Sequence, residues 1–442
     1  MSIWIETKLK ESEIGKIPLD WSCTTLNKIA DINPKPIKLD SDDIEVSFVG
    51  MADVSESAKL MNTTNRLYGE VKKGFTSFQD NDVLVAKITP CFENGKGALV
   101  SNLTNGIGFG STEFHVIRAK EQKGCPEFIH HITTTHNFRV KGEMNMTGTA
   151  GQKRVGKDFI ASYLIACPPF VEQQKIAEVL STVDKKIDLI DQKIAETEKL
   201  KTGLMQKLFS EGIGVQDENG EWQPHTEFQK TPIGYLPEQW SIKSLEDVCK
   251  VKGGKRLPKG ETLISEKNEH PYIRVSDMFM GGVALNDIQY VPEHVVDKIK
   301  NYTIGKNDLF ISVAGTLGIV GKVPEQLDGA NLTENADKLT DIKCNIDYMY
   351  YYLCSEKIQS TIDKLKTVGA QPKLALTRIK QFTFIEPSPK EQQKIATILS
   401  SVDQKLELLR TQKAETQQLK KGLMQKLLTG EWRVPVEETE AA

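Results

Sequence analysis

Two short turns in this chain set a glutamine beside a basic residue: GTAGQKRV at 148–155 and VGAQPKLAL at 368–376. A glutamine amide can read adenine through two hydrogen bonds, and lysine or arginine can hold a phosphate or guanine. Gln152, Lys153, Arg154, Gln371 and Lys373 are therefore candidate DNA contacts. Both copies keep the turn while their surroundings differ, so it reads equally as a structural corner. A second candidate is KVKGGKRLPKG at 250–260. Gly253 and Gly254 would let backbone amides approach a phosphate, while Lys255, Arg256 and Lys259 add positive charge. A solvated basic loop is the alternative reading, and the matching first-half stretch, DINPKPIKLD, is weaker. KITPCFENGK at 87–96 and SVAGTLGIVGK at 312–322 add Lys87, Lys96, Thr316 and Lys322, and Arg274 completes the set.

No catalytic constellation accompanies them. CPPF at 167–170 invites comparison with the (Asn/Asp)-Pro-Pro-aromatic motif of amino-methyltransferases, but Cys167 cannot accept a hydrogen bond from a target amine as that motif requires. GIGFG at 106–110 does not clearly open a helix, and Walker A, GxSxG and HExxH patterns are missing. The seven cysteines are scattered and never CxxC, and His130, His131 and His136 cluster without acidic or thiol neighbours, so no metal site is expected. A net charge of −3 advertises no nucleic-acid role globally, leaving it to local basic loops. No apolar run reaches the roughly 18 residues a membrane helix needs, and the N-terminus lacks a secretory core, so a cytoplasmic protein is expected.

The elements that carry these loops are duplicated. EQQKIA stands at 172–177 and again at 391–396, and at this offset 23 of 37 positions are identical between 172–208 and 391–427. IGKIPLDW at 14–21 matches IGYLPEQW at 233–240. A repeat this long is a domain duplication rather than a solenoid. Each near-identical block reads as a long helix with a heptad seam: Ile176, Leu180, Val183, Ile187 and Ile190 in one, and Ile395, Leu399, Val402, Leu406 and Leu409 in the other. Ser388 to Glu391 reads as a capping box with proline at the first helical position. A helix striped along one face cannot bury its seam alone, and the natural partner is the other copy, paired antiparallel; the alternative is two unrelated amphipathic helices packed on separate domains. Leu180 and Leu399 are expected to share that seam. The divergent blocks, with runs such as VLVAKI and LFISVAG, read as mixed α/β domains.

The expected class is thus α+β, with two mixed α/β domains, each followed by a long helix, and a pseudo-twofold internal repeat. The segments are 1–167 (first variable domain), 168–212 (first helix), 213–232 (polar linker), 233–386 (second variable domain), 387–430 (second helix) and 431–442 (disordered tail). This organisation, above all VEQQKIAEVLSTVDKKIDLI and KEQQKIATILSSVDQKLELL, resembles the DNA-specificity subunit of type I restriction–modification systems. The resemblance implies two target-recognition domains, each reading one half of a bipartite, asymmetric site on double-stranded DNA. It implies helices that dock two methyltransferase subunits, with EQQKIA recurring to offer each the same surface. Those partners, not this chain, would bind S-adenosylmethionine and methylate adenine, and restriction subunits would use ATP and magnesium to translocate and cleave. A fused methyltransferase has no room in 442 residues. A coiled-coil scaffold that never touches DNA is the remaining competitor.

Overall fold

The computed structural model describes residues 8–149, 151–365 and 373–435. The chain forms two compact units, Met1–Asp191 with Thr411–Ala442, and Gln192–Arg410. The linear segments are therefore cut across, because each unit holds the first half of one long helix's length and the last part of the other.

In unit one, Val83–Ala86 is apolar at every position and fully buried, as a strand covered on both faces must be. It lies inside a four-stranded antiparallel sheet, ordered Ala30–Ile32, Phe114–Ala119, Val83–Ala86 and Gly97–Leu99. A second sheet orders Thr64–Leu67, Glu45–Val49, Ile107–Gly110 and Thr76–Gln79. Unit two repeats the plan. Leu309–Ser312 takes the inner position beside Ala336–Thr340 and Val320–Lys322, with Lys250–Gly253 at the edge. Phe114 opposes Ala86 in one sheet as Ala336 opposes Ser312 in the other. In each unit the domain's early and final strands pair, Ser22–Thr25 with Leu164–Cys167 and Ser241–Ser244 with Thr383–Glu386. That pairing delivers the chain into a long helix.

The helices run Phe170–Leu208 and Pro389–Leu427, 39 residues each and about 60 Å long. Within unit one, Asp184 pairs with Lys420 and Asp191 with Lys413, both at 2.6 Å. Partner numbers fall as the first number rises, so the strands of this coil are antiparallel. Within unit two, Lys201 pairs with Asp403 at 2.6 Å and Arg410 with Glu198 at 2.9 Å. Asp184–Lys420 and Asp403–Lys201 are the same pair under the sequence repeat, so each unit repeats the same ion pair within itself.

The seam is buried at Ile176, Leu180, Ile187, Ile190, Ile395, Leu399, Leu406 and Leu409, and half-buried at Val183 and Val402. Leu180 and Leu399, however, do not meet. Leu180 joins Trp21, Leu423 and Leu427 in the core of unit one, and Leu399 joins Leu208, Trp240 and Tyr348 in that of unit two. Antiparallel pairing sets the start of one helix against the end of the other, so equivalent positions near the two starts lie in separate cores.

EQQKIA owes its repetition to the same geometry. Glu172, Gln173, Ile176 and Ala177 are buried, as are Glu391, Gln392, Ile395 and Ala396. Trp21 Nε1 donates to Glu172 Oε2 at 2.9 Å, and Trp240 Nε1 donates to Glu391 Oε2 at 2.9 Å. Gln173 accepts from the Cys125 amide, and Gln392 from the Asn345 amide, each at 3.0 Å. The hexapeptide ties each helix to its own domain and leaves only Gln174, Lys175, Gln393 and Lys394 at the surface. Instead of the expected surface for a partner, four of its six positions face inward. The capping box is also half formed: Ser388 Oγ accepts the Glu391 amide at 3.3 Å, but the Glu391 carboxylate is committed to Trp240.

The segments after each helix are more ordered than their polarity suggests. Beyond helix one, the Ile213 and Gly214 amides donate to Glu391, and Val215–Gln216 forms a hairpin with Trp222–Gln223. Beyond helix two, Arg433 bridges Asp20 and Glu172, and Val434 is buried. The expected disorder therefore does not hold for 431–435, while 436–442 lie outside the described residues.

Unit one also buries a histidine with nothing to bind. His131 is 1% exposed, and neither ring nitrogen has a hydrogen-bond partner among the described residues. Burial pushes its pKa down to about 3. The unfolded ring takes up a proton near pH 6.5 while the folded ring stays neutral, so acidification favours unfolding between those values by about 1.4 kcal/mol per pH unit. His131→Leu removes that penalty. Its stability relative to wild type is expected to rise by about 2 kcal/mol between pH 7.5 and pH 5, read from denaturant melts. A difference that does not change with pH would show that the ring is solvated in the fold.

Candidate nucleic-acid interface

Three loops of unit one leave the same end of the first sheet, because Val83–Ala86 and Phe114–Ala119 are antiparallel neighbours. Backbone hydrogen bonds lace them together: Lys87 N to Glu113 O at 2.9 Å, Thr89 N to Lys153 O at 3.0 Å, and Val155 N to Lys87 O at 2.9 Å. His115 adds a side-chain lock that sequence reasoning missed. Its Nε2–H donates to Val155 O at 2.9 Å, and its Nδ1 accepts from Asn33 Nδ2 at 3.0 Å. Burial lowers its pKa, so the ring is held neutral in this tautomer. Arg154 forks onto Glu113, with Nη2 at 2.8 Å, and that hydrogen-bonded guanidinium keeps the Glu113 carboxyl below its usual range. Burial lowers the Lys87 pKa. Gln152, Lys153 and Arg154 are exposed.

The structure brings Lys87, Gln152, Lys153 and Arg154 into one cluster, with Lys96 tied below it by donation to Met51 O at 3.1 Å. A second device invisible in the sequence is Arg139, 7% exposed, which donates to Phe92 O at 3.0 Å and Gly95 O at 3.2 Å. It holds the 87–96 loop from beneath. Only the tertiary packing of the helix His136–Met144 against that loop could reveal this.

In unit two the equivalent strand end gathers the loops 254–260, 313–319 and 333–335, with Lys373 bridged to Ala314 and the Leu374 amide donating to Val313 O at 3.0 Å. Thr316 is exposed at the tip, and its carbonyl accepts from Ser312 Oγ at 2.6 Å. Gln371 lies outside the described residues. The expected phosphate cradle at Gly253 and Gly254 is corrected. The Gly254 amide donates to Ala336 O at 3.1 Å and the Lys255 amide to Leu332 O at 2.8 Å, so these donors are already used. Gly253 is paired in a strand opposite Asp337. Glycine is required at 254 because a Cβ there would overlap the Thr333 carbonyl.

Lys255, Arg256 and Lys259 remain exposed around this anchored backbone. Arg274, unlike them, is spent on acidic partners. It ion-pairs with Asp277 at 2.6 Å and with Asp287 at 3.0 Å, and so closes a short turn of unit two. Lys322 is likewise paired, with Asp347, and lies 5.3 Å from the Tyr350 ring. Asp337, the position equivalent to His115, is 4% exposed with one carboxylate oxygen unpartnered among the described residues, and burial raises its pKa to about 6.

Two repeated domains with loops gathered at one sheet end, each leading into an antiparallel helix pair, define a protein that presents two unlike surfaces on one scaffold. The chain matches the type I restriction modification DNA specificity domain twice, over residues 18–199 and 237–418, and it belongs to that family. It is 40% identical over 178 residues to the EcoEI specificity subunit of Escherichia coli, covering 40% of this chain and 29% of that one. The match thus spans under a third of that relative's length. A putative MjaX specificity subunit of Methanocaldococcus jannaschii is 25% identical over 448 residues, covering 98% of this chain and 99% of the relative. Among solved structures, the S subunit of a type I restriction–modification system from M. genitalium aligns with a TM-score of 0.54 at 17% identity, over 96% of this chain and 99% of that one. A chain from a study of assembly and conformational transition in a type I R-M system aligns with a TM-score of 0.56 at 19% identity, over 94% and 99%. These likenesses show the shared fold. No described helix is long and apolar enough to cross a membrane.

Proposed function

We propose that this chain is the DNA-reading subunit of a type I restriction–modification complex, with each variable domain reading one half of a bipartite, asymmetric site. The observation that carries the proposal is the repeat of one sheet order in both units, with unlike loops at the equivalent strand end. The helices act as a ruler, since half-sites read by linked modules must present the right groove faces. Their exposed faces, rather than EQQKIA itself, would dock two methyltransferase subunits. Those subunits would bind S-adenosylmethionine and flip the target adenine for methylation. Restriction subunits would supply ATP- and magnesium-dependent translocation and cleavage. This chain binds no cofactor of its own in this reading.

The test is a domain exchange read by single-molecule methylome sequencing in cells that also carry the methyltransferase partner. Replacing residues 12–167 with another variable domain is expected to change one half of the methylated motif and leave the other half intact. A change in both halves, or in neither, would overturn the modular reading.

A further inference from the structure

In both units the turn before the inner sheet's long strand carries Thr-Glu, at 112–113 and 333–334, and in both the glutamate clamps an arginine. The arginines come from different places in the chain. Glu113 holds Arg154 from the loop that closes its domain, and Glu334 holds Arg256 from the loop that opens its domain. A shared carboxylate that recruits unlike arginines suits a common position serving two different readings.

Arg256 is the one with donors to spare, since Nε and Nη2 of Arg154 are spent on Glu113 and its Nη1 on the Gln152 carbonyl. Its Nε donates to Glu334 Oε1 at 2.5 Å, and its two terminal nitrogens have no partner among the described residues. The side chain is 77% exposed while that of Glu334 is only 28% exposed. The backbone beneath is fixed by the Gly254 and Lys255 hydrogen bonds already described and by Tyr272 Oη, which donates to Lys255 O at 2.8 Å. Lys255 lies 5.5 Å from the Tyr302 ring, so it too is held beside this platform. An arginine held at Nε directs its planar terminal pair outward as a fork. Such a fork matches guanine O6 and N7 in the major groove, and because it matches a phosphate as well, the test must separate the two.

On the reading of this chain as a DNA-specificity subunit, we propose that Arg256 reads a guanine in the half-site of the second domain, with Glu334 as its positioning residue. Lys255 and Lys259 then supply the flanking phosphate contacts.

The experiment compares methylomes directed by the full chain with its methyltransferase partner, for wild type, Arg256→Lys and Glu334→Ala. Lysine keeps the charge and loses the fork. The expected result is that Arg256→Lys relaxes a single G·C position in one half-site, with discrimination there falling about ten- to hundred-fold. Glu334→Ala relaxes the same position, with hydrogen exchange of unit two unchanged away from the turn. A motif that keeps every base while methylation falls uniformly would overturn the proposal and make Arg256 a phosphate contact. A wild-type chain that directs no bipartite motif would overturn the parent reading along with it, so the two failures are distinguishable.

Discussion

Aspartate at Leu180 is expected to unfold unit one and leave unit two intact, and Leu399→Asp to do the reverse. Each leucine is 0% exposed, and each carboxylate would be buried among apolar side chains. An uncompensated buried charge costs about 4 kcal/mol or more. Leu180 packs among Trp21, Leu423 and Leu427, and Leu399 among Leu208, Trp240 and Tyr348, so the two share no neighbour. The double variant should therefore lose the sum of the single losses, with a coupling within about 0.5 kcal/mol. Hydrogen exchange followed by peptide reads each unit separately. A coupling above about 1 kcal/mol would mean the residues lie in one seam after all.

Trp240→Ala is expected to cost unit two about 3–5 kcal/mol, the usual range for emptying a buried tryptophan site. Trp240 is 3% exposed, and Glu391 beneath it would keep the Ile213 and Gly214 amides and His225 as partners. Trp21→Ala should cost unit one a similar amount, since Trp21 is 1% exposed and Glu172 would keep Arg433. The distinguishing control is phenylalanine. Trp240→Phe retains most of the apolar volume and loses one hydrogen bond to a charged group, for about 1.5–3 kcal/mol. Denaturant melts with hydrogen exchange at the helix starts would check this. Equal losses for alanine and phenylalanine would show that the hydrogen bond, rather than packing, anchors the helix.

These effects bear on function through positioning. The tryptophan–glutamate tie and the strand pair beside it set where each long helix leaves its domain. A loosened tie would alter the relation of a domain to its own helix before it touched any residue of the candidate loops. Stability variants at Trp21 and Trp240 are thus a different class from Arg256→Lys, which changes one exposed side chain on an intact platform.

Much of this architecture was legible from the residues alone. The repeat, the heptad seam, the antiparallel helices and the two mixed domains follow from periodicity and self-comparison, because burial of an apolar stripe and alternation in strands are local consequences of residue order. Gln152, Lys153, Lys255, Arg256 and Lys259 were also visible as candidates, since their side chains are exposed and their chemistry is their own.

Tertiary structure decided what those residues do. It set Leu180 and Leu399 in different cores, turned EQQKIA inward, spent the Gly254 and Lys255 amides on neighbouring strands, and tied Arg274 and Lys322 into ion pairs. It also brought in His115 and Arg139, which no motif singled out, and matched Arg256 with Glu334 across 78 residues. The physical reason is one of range. Periodicity records which face of an element is apolar, whereas a hydrogen-bond partner or a charge's counterpart is chosen by which distant segment the fold places within 3 Å.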